Sequence, residues 1–456
     1  MSGAAEPSGP AATGPTGVGF GEAVRFWVKL GFINFGGPTG QIAIMHDELV
    51  ERRRWIREDR FLHALSYCMV LPGPEAQQLA IYIGWLLHGT PGGLIAGTAF
   101  VVPAFALLLA LSWTYAAHGD VGWIAGVFDG LSAAVVGIVA AATIQIGRRA
   151  LRSPAAWTVA ATAFVAIFLV GVPFPFVVLG AGLAGLALAR LAPASLPPAE
   201  RDGADAGAAD AAASQAHLHA SGRRALRVLA IGLLAWLGPI AIVVAVTGLG
   251  SVYSQEGLFF SQVAVITFGG AYAVLAYVGH EVVSRFSVAT ADVVAGLGLA
   301  ESTPGPLIMV VQFLGFLAAY RDPGSLPPFV AGLLGALVTV WATFAPSFLW
   351  IFLGAPYVER MRGNQRVRGA FSMVTASVVG VIGSLALTFA AAVVFTDVSS
   401  VAPLGHGVPW PVWSSVEPFA AVVAIAAFVA MWRYTVPVPW IVAISAVGGL
   451  LWSVLR

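Results

Sequence analysis

Long apolar runs dominate this chain, and several exceed the roughly 20 residues that a helix needs to cross the hydrocarbon core of a membrane. The longest runs cover residues 93–117, 121–147, 225–250, 329–353 and 370–395. They are continuous rather than alternating, which favours helices over the strands of a membrane β-barrel. The pattern predicts an all-α polytopic membrane protein.

Composition agrees with this pattern. The 456 residues are 58% hydrophobic and only 10% charged, whereas soluble domains carry about 25% charged residues. The single cysteine, Cys68, excludes an internal disulfide and a multi-cysteine metal site. Lys29 is the only lysine and no GxxxxGK[ST] motif surrounds it, which excludes a P-loop ATPase domain. We therefore expect no enzyme activity, no cofactor, no metal and no nucleic-acid partner.

Short motifs recur in the same order in two parts of the chain. The pairs are Phe35-Gly36-Gly37 with Phe268-Gly269-Gly270, Glu48 with Glu281, Pro72-Gly73-Pro74 with Pro304-Gly305-Pro306, Pro103 with Pro346, 133–139 with 376–382, and 172–176 with 436–440. Such ordered recurrence indicates an internal duplication. The prediction is an N-terminal transporter repeat at 20–190 and a C-terminal repeat at 255–456.

The segments outside the two repeats differ in character. Residues 1–19 are rich in Gly, Pro and Ala without an apolar core, which predicts a disordered tail and not a signal peptide. Residues 191–224 are rich in Ala, Asp, Pro and Ser and are predicted to be a flexible cytoplasmic linker. Residues 225–254 are predicted to form a connecting transmembrane helix without a counterpart in the first repeat.

Arginine placement predicts that the two repeats enter the membrane in opposite directions. Short loops rich in arginine and lysine stay cytoplasmic. Segment 51–60 holds five arginines, whereas its counterpart 284–293 holds only Arg285. Conversely, 354–369 holds four, and its counterpart 111–126 holds none. The repeats are therefore predicted to have inverted topology, an arrangement found in many secondary transporters.

The same sidedness predicts re-entrant elements. If 51–60 is cytoplasmic and 118–122 is external, the stretch 61–88 must enter and leave on one side. Its two arms are too short to span the membrane, so a re-entrant hairpin with its tip at Pro72-Gly73-Pro74 is expected.

Residues 20–50, broken at Gly36-Gly37-Pro38, are predicted to form a second re-entrant element. The second repeat is expected to contain both again, at 258–284 and 286–318. The total prediction is about nine full spans plus four re-entrant elements, within 10–13 hydrophobic segments.

A broken helix at membrane depth leaves backbone N–H groups without partners, and these are tolerated only where they line a cavity inside the protein. A half-helix N-terminus carries about +0.5 charge, which suits an anion. We therefore predict an oxyanion site at the breaks. The predicted substrate-binding residues are Arg25, Lys29, Asn34, Gly36, Gly37, Pro38, Thr39, Gln41, Pro72, Gly73, Pro74, Gln77, Gly269, Gly270, Ser302, Thr303 and Gly305.

Two kinds of charged residue accompany these breaks. Arg25 and Lys29 stand one helical turn apart directly before the first break, and they are predicted to recruit the anion. Carboxylates in or beside the broken elements are candidates for proton coupling. These candidates are Glu48, Glu75, Glu281 and Glu301.

The stretches FGGPTGQIAIMHDELVERRRWI, LPGPEAQQLAIYIGW and STPGP resemble the chromate ion transporter family in its long two-domain form. This resemblance implies export of chromate from the cytoplasm and chromate resistance, with sulfate as the structural look-alike. Two departures stand out: Ala271 replaces the Pro38 of the first repeat, and Leu307 replaces its Glu75. The two half-sites are therefore not equivalent.

Energetics favour export. A dianion that leaves a negative cytoplasm gains about 2 × 2.3, roughly 4.6 kcal/mol per 100 mV, so proton coupling is not required. An importer of sulfate or another tetrahedral oxyanion, or more remotely an anion channel, would share this architecture, and the sequence leaves them open. The expected location is the inner (plasma) membrane, with an oxyanion and lipid as partners; a homodimer stays open.

Overall fold

The computed structural model describes residues 18–34, 37–69, 71–119, 121–191, 222–266, 271–355, 365–402 and 407–455. This part of the chain is almost entirely helical, as the apolar runs predict. The helices are α1 (Phe20–Ile33), α2 (Gly37–His46), α3 (Glu58–Cys68), α4 (Glu75–His118), α5 (Gly122–Ala150), α6 (Pro154–Phe168), α7 (Phe174–Leu191), α8 (Gly222–Thr247), α9 (Val252–Ile266), α10 (Ala271–Arg285), α11 (Thr290–Ser302), α12 (Val310–Arg321), α13 (Pro328–Gly354), α14 (Gln365–Val394), α15 (Pro418–Arg433) and α16 (Val438–Leu455).

One segment departs from the all-α prediction. Within the predicted loop 396–417, strand β1 (Val398–Val401) pairs antiparallel with strand β2 (Val408–Pro411). All four residues of β1 are exposed, so this small hairpin lies at the surface of the helical bundle. It does not change the fold class.

Seven helices in the described ranges are long and apolar enough to cross a membrane. They are the segments 75–118, 122–148, 174–191, 222–247, 328–354, 369–394 and 438–455. The predicted number is about nine, and α6 and α15, which are apolar but have only 15 and 16 residues, would bring the seven to nine. Multi-pass membrane character is thus confirmed, and the finer count of spans stays a prediction.

Two helical hairpins have their tips at the Pro-Gly-Pro turns. In the first half, α3 leads to the turn and α4 folds back from it, which brings the rings of Tyr67 and Tyr82 to 5.8 Å. In the second half, α11 and α12 fold back in the same way, and a Cβ added to Gly296 would touch the ring of Phe313. Helices α3, α11 and α12 have 11, 13 and 12 residues, which is roughly 16–20 Å and too short to span a bilayer.

Two further hairpins are formed by α1 with α2 and by α9 with α10. The π-helical segment Asp47–Arg52 that follows α2 returns Arg53 to the middle of α1, where its guanidinium lies 5.0 Å from the centre of the Phe26 ring. The end of α10 returns in the same way, and the guanidinium of Arg285 lies 5.3 Å from the Phe259 ring. The same cation–π contact therefore closes both hairpins.

Helix α4 is two helices joined by a sharp reversal. His88 and Gly89 have non-helical backbone angles, and Gly89 has a φ of 63°. The arms fold back on each other, because a Cβ on Gly84 would lie 2.5 Å from the carbonyl oxygen of Gly92. The first arm thus completes the hairpin from the Pro-Gly-Pro turn, and the second arm, 90–118, forms a long helix.

Equivalent helices of the two halves lie side by side and run in opposite directions. The second arm of α4 packs against its counterpart α13, and α5 packs against its counterpart α14. Along each pair, later positions on one helix meet earlier positions on the other. The defining contacts are Gly93 with Phe352, Gly97 with Phe348, Thr143 with Gly383 and Gly147 with Val379.

The halves also exchange helices around this centre. Helix α5 packs against α15 and α16 of the second half, and α14 packs against α6 and α7 of the first half. These contacts are close, since a Cβ on Gly126 or Gly185 would overlap the facing backbone at Gly449 or Gly369. The largest buried apolar cluster joins residues of both halves, so the two repeats share one core.

Unusual backbone conformations recur at matching positions. Three pairs of positive φ angles fall at residues that the duplication aligns: Arg54 (53°) with Ser287 (51°), Gly73 (121°) with Gly305 (122°), and Gly171 (74°) with Thr435 (50°). Gly89 (63°) and Gly324 (58°) lie in the corresponding reversals of the two halves. Because these conformations are rare outside glycine, their agreement supports a duplicated backbone.

Candidate functional site

The second Pro-Gly-Pro turn is held by the first broken hairpin. The backbone N–H of Gly305 donates to the carbonyl oxygen of Asn34 at 2.8 Å, and the side-chain amide of Gln41 donates to the carbonyl oxygen of Gly305. Asn34 ends α1 and Gln41 lies on α2, so residues on both sides of the break form hydrogen bonds with the same glycine. Gly305 also abuts Ala104 so closely that an added Cβ would overlap the Ala104 methyl group.

The first Pro-Gly-Pro turn has a different environment. The Gln78 side-chain amide donates to the carbonyl oxygen of Pro72 at 2.7 Å. A Cβ added to Gly73 would lie 2.7 Å from Nε2 of Gln78 and 3.2 Å from Oγ of Ser347, which lies on α13 of the other half. Ser347 follows Pro346, and Ala104 follows Pro103. Each turn therefore packs against the corresponding position of the long helix of the opposite half.

Groups beside each of the two turns contact the same helix, α4. Gln77 reaches the carbonyl oxygen of Gly97 at 3.5 Å, and Gly305 abuts Ala104. Gly97 and Ala104 are seven residues apart on one helix, about 10 Å. The polar groups here form what we call the tip cluster: Asn34, Gln41, Gln77, Gln78, Thr303 and Ser347 with the backbone of Gly73 and Gly305.

The side chains of the tip cluster are buried, with at most 5% exposure. Several of their polar atoms have no hydrogen-bond partner among the described residues. These atoms are Nδ2 and Oδ1 of Asn34, Oε1 of Gln41, Gln77 and Gln78, and Oγ of Ser347. Leaving a buried polar group unpaired costs about 1–3 kcal/mol. A concentration of such groups is typical of a site that a polar ligand completes.

The cluster can supply donors to an anion. The Asn34 amide and the Ser347 hydroxyl both carry N–H or O–H groups. The amide nitrogen of each glutamine carries a second N–H group besides the one that donates to a backbone oxygen, so the three glutamines can also donate. In addition, α4 and the 3₁₀ turn Leu307–Met309 begin directly after the two Pro-Gly-Pro turns without a side-chain cap, which leaves N-terminal N–H groups facing the cluster.

The two predicted cations do not lie in the tip cluster. Arg25 is on the exposed face of α1, opposite the buried Phe26, Trp27 and Leu30. Lys29 is 54% exposed at its side chain and forms an ion pair with Glu48, with Nζ and Oε1 3.7 Å apart. An exposed charge attracts an anion without contacting it at depth.

The four predicted proton-coupling carboxylates have unlike surroundings. Glu48 is nearly buried and accepts from Arg53 at 3.1 Å. Burial opposes its ionisation, but the hydrogen bond from Arg53 and the charges of Lys29, Arg53 and Arg52 outweigh that effect and lower its pKa. Glu281 forms an ion pair with Arg285 at 2.7 Å. The lowered pKa keeps Glu48 charged, and the ion pairs of both carboxylates suit a structural role.

The other two carboxylates flank the turns. Glu75 is partly buried in the first turn of α4, directly after Pro74. Glu301 is buried at 3% exposure, near the end of α11. Both therefore lie beside the tip cluster, as the sequence predicts.

The remaining predicted residues divide into three groups. Gly36, Gly269 and Gly270 lie outside the described residues. Gly37, with a φ of 64°, begins α2, and Pro38 and Thr39 follow it in the first turn. The hydroxyls of Ser302 and Thr303 donate back to the carbonyl oxygens of Leu299 and Ala300, at 2.8 and 3.3 Å.

Ser347 is a member of the cluster that the sequence analysis missed. It directly follows Pro346, whose pairing with Pro103 is visible in the duplication. A polar residue beside a recurring intrahelical proline was therefore the available signal. In the described part of the chain, no three His, Cys, Asp or Glu side chains come together in a way that could hold a metal ion.

The sequence is similar to that of a known protein family. The family model described as "Chromate transporter" matches residues 21–186 and 255–450. These two segments make up most of the chain and leave out the tail, the linker and α8. This chain belongs to the chromate transporter family. The match in two segments agrees with the family resemblance of the sequence motifs.

Several relatives within the chromate transporter family cover most of the chain. A probable chromate transport protein of Synechococcus elongatus is 28% identical over 437 residues, 95% of each chain. A chromate transport protein of Cupriavidus metallidurans is 29% identical over 81% of this chain and 82% of that protein. One of Pseudomonas aeruginosa is 30% identical over 82% of each. No solved structure matches the chain.

Proposed function

We propose that this protein exports chromate from the cytoplasm and that the tip cluster binds the anion during transport. The observation that carries this proposal is that each of two glycine turns, one from each half, lies against buried polar groups without partners among the described residues. Such groups in an apolar bundle are costly unless a ligand satisfies them. Membership in a transporter family and the names of the relatives supply the substrate class.

The two halves are proposed to have inverted topology. The antiparallel packing of α4 against α13 and of α5 against α14 supports this, because repeats related by an axis in the membrane plane place equivalent helices in opposite directions. The four short hairpins are proposed to be re-entrant. This arrangement puts both Pro-Gly-Pro turns at mid-membrane depth, the arginine-rich segment and the linker in the cytoplasm, and the protein in the plasma membrane.

The proposed driving force is the membrane potential. An outward-moving dianion gains about 4.6 kcal/mol per 100 mV, and coupling to protons would add to this. The exposed Arg25 and Lys29 are proposed to raise the local concentration of the anion. The cluster then replaces its hydration shell with amide, hydroxyl and backbone donors.

Oxyanion flux in oriented vesicles tests the proposal. The purified protein is reconstituted in one orientation, and labelled chromate and labelled sulfate are followed with voltage and pH set independently. Voltage-dependent chromate movement towards the positive side, with sulfate as a weaker competitor, is expected. Sulfate uptake in preference to chromate would replace the proposal with an importer, and unitary currents would replace it with a channel.

A further inference from the structure

Helix α9 carries a carboxylate that the proposed site does not use. Glu256 is fully buried, and neither of its carboxylate oxygens has a hydrogen-bond partner among the described residues. An unpaired ionised carboxylate is too costly to keep in such surroundings, so the protonated form is favoured. The duplication aligns Glu256 with Ala23 of the first half, which means that this acid belongs to one half only.

A notch between two glycines holds Glu256. Helices α12 and α13 cross at Gly315 and Gly335, and a Cβ on Gly335 would lie 3.1 Å from Oε2 of Glu256. A Cβ on Gly315 would overlap the hydroxyl oxygen of Thr339, and that hydroxyl also has no partner in the described part of the chain. The acid and the hydroxyl therefore lie beside the same crossing of α12 and α13.

The first half contains the same notch without the polar groups. There the arms of α4 cross at Gly84 and Gly92, and a Cβ on Gly84 would lie 2.7 Å from the methyl carbon of Ala96. Ala96 stands one turn after Gly92, as Thr339 stands one turn after Gly335. The crossing in the first half packs with an alanine and no acid, so the close approach of the helices does not require Thr339 or Glu256.

The described cations near α9 are engaged elsewhere: Arg285, whose guanidinium lies 5.3 Å from the Phe259 ring, is paired with Glu281 at 2.7 Å. The sequence of α13 contains no ionisable side chain, and α8 has its arginines at 223–227, at the opposite end from its contact with α9. On α12, Tyr320 is half-buried and Arg321 is held by Asp292, at 2.7 Å. Tyr253, one turn before Glu256 on α9, has a buried hydroxyl without a described partner.

A short route connects Glu256 with the surface. Helix α9 begins at Val252, and the preceding residues 248–250 are exposed, as is Asp322 at the end of α12. Tyr253 lies between that surface and Glu256. On the other side, Gln312 is fully buried with neither amide atom partnered in the described ranges, and it lies on α12 between the notch and the turn at Gly305.

We propose that Glu256 binds and releases a proton that the transporter exchanges for its oxyanion. The step is a simple protonation: the carboxylate takes up one proton from the face at 248–250 and releases it when the helices around the notch rearrange. This inference rests on the proposed transport function. It moves proton coupling from the ion-paired Glu48 and Glu281 to a carboxylate without a partner in the described structure.

The test follows chromate and protons together in the same vesicles. Labelled chromate reports transport, and a pH-sensitive dye trapped inside reports protons. The wild type is expected to move protons in the direction opposite to chromate. In the E256Q variant the proton flux should fall at least tenfold, while chromate still moves under an imposed voltage. The exposed Glu51 supplies the matched control, since E51Q should keep both fluxes.

Infrared spectroscopy gives an independent readout. The wild type should show a carboxylic-acid carbonyl band that disappears in E256Q and shifts in E256D, and the pH midpoint of transport should shift in E256D. If E256Q does not insert into the membrane, these E256D shifts decide the matter. Unchanged proton flux in E256Q, or an unchanged midpoint and band in E256D, overturns the inference.

The two proposals fail in different ways. Chromate movement without any proton movement in the wild type removes the role of Glu256 and leaves chromate transport standing. Absence of oxyanion movement in the wild type removes the transport function itself.

Discussion

The two Pro-Gly-Pro turns share a backbone and differ in side chains. Gly73 and Gly305 have φ angles of 121° and 122°, and each turn abuts the residue after the intrahelical proline of the opposite half. That residue is Ser347 at the first turn and Ala104 at the second. The first turn is followed by Glu75 and the second by Leu307. Duplication has thus preserved the geometry of the turn, and the chemistry has diverged around it.

The comparison shows that the backbone of the turns and the polar side chains around them are constrained by different requirements. Each turn must approach a neighbouring helix closely, which only glycine permits. In the proposed site the polar groups bind one anion, and binding of a single anion does not require the two turns to present the same groups. The notch at Gly315 and Gly335 shows the same divergence from its counterpart at Gly84 and Gly92.

The largest expected effect is that of Gly305→Ala. The added methyl group would overlap Ala104 and would force a conformation that costs roughly 1–3 kcal/mol, with a similar cost from overpacking. Chromate flux in vesicles should fall at least a hundredfold. Gly73→Ala should cost less, because the overlapping atom is the end of the Gln78 side chain, which can move.

Gly180→Ala is the control for these two variants, since nothing lies within 4 Å of a Cβ at that position. It should transport like the wild type. The double variant Gly305→Ala with Ala104→Gly should recover part of the flux because it removes the overlap. If Gly73→Ala and Gly305→Ala lose chromate flux equally, the residue that each glycine contacts does not determine the size of the effect, and the comparison between the two turns fails.

Gln41→Ala comes next in size. It removes the amide that donates to Gly305 and leaves a buried carbonyl oxygen unpaired, at a cost of about 1–3 kcal/mol. The half-saturating chromate concentration should rise about tenfold. Gln255→Ala removes a comparable side-chain donor to a backbone oxygen, at 3.2 Å and exposed, and should change little. An unchanged half-saturating concentration in Gln41→Ala would show that the first broken hairpin does not contribute to chromate binding.

Ser347→Ala tests the polar side of the first turn. Loss of one hydroxyl donor to the anion should weaken binding by about 1 kcal/mol, or roughly fivefold. Ser377→Ala is the matched control, because that buried hydroxyl already donates to the carbonyl oxygen of Val374 at 2.7 Å. If the two variants bind chromate equally well, Ser347 only fills space beside Gly73.

Arg25→Gln should have the smallest effect. The side chain is exposed on α1, where charge interactions are worth about 1 kcal/mol or less in water. The half-saturating concentration should rise about threefold at low salt and not at all at high salt, and Arg25→Lys should restore it. A hundredfold rise that persists in salt would place the guanidinium on the anion.

The family, the helical class and the positions of the turns could all be predicted from the sequence. Apolar runs need only their length to indicate membrane helices, and a Pro-Gly-Pro motif interrupts a helix whatever surrounds it. The recurrence of the motifs is by itself enough to align Gly73 with Gly305. The strand pair at Val398–Val401 and Val408–Pro411 was missed, because short exposed strands lack a strong hydrophobic period.

The amino-acid sequence alone determines which residues can turn, span and bind, since those properties follow from each side chain and its neighbours along the chain. Tertiary structure decides which of them meet. Asn34 and Gln41 lie more than 260 residues from Gly305, and Ser347 lies as far from Gly73. Their contacts arise from the packing of one half against the other, and the sequence around each residue does not record which distant segment it will contact.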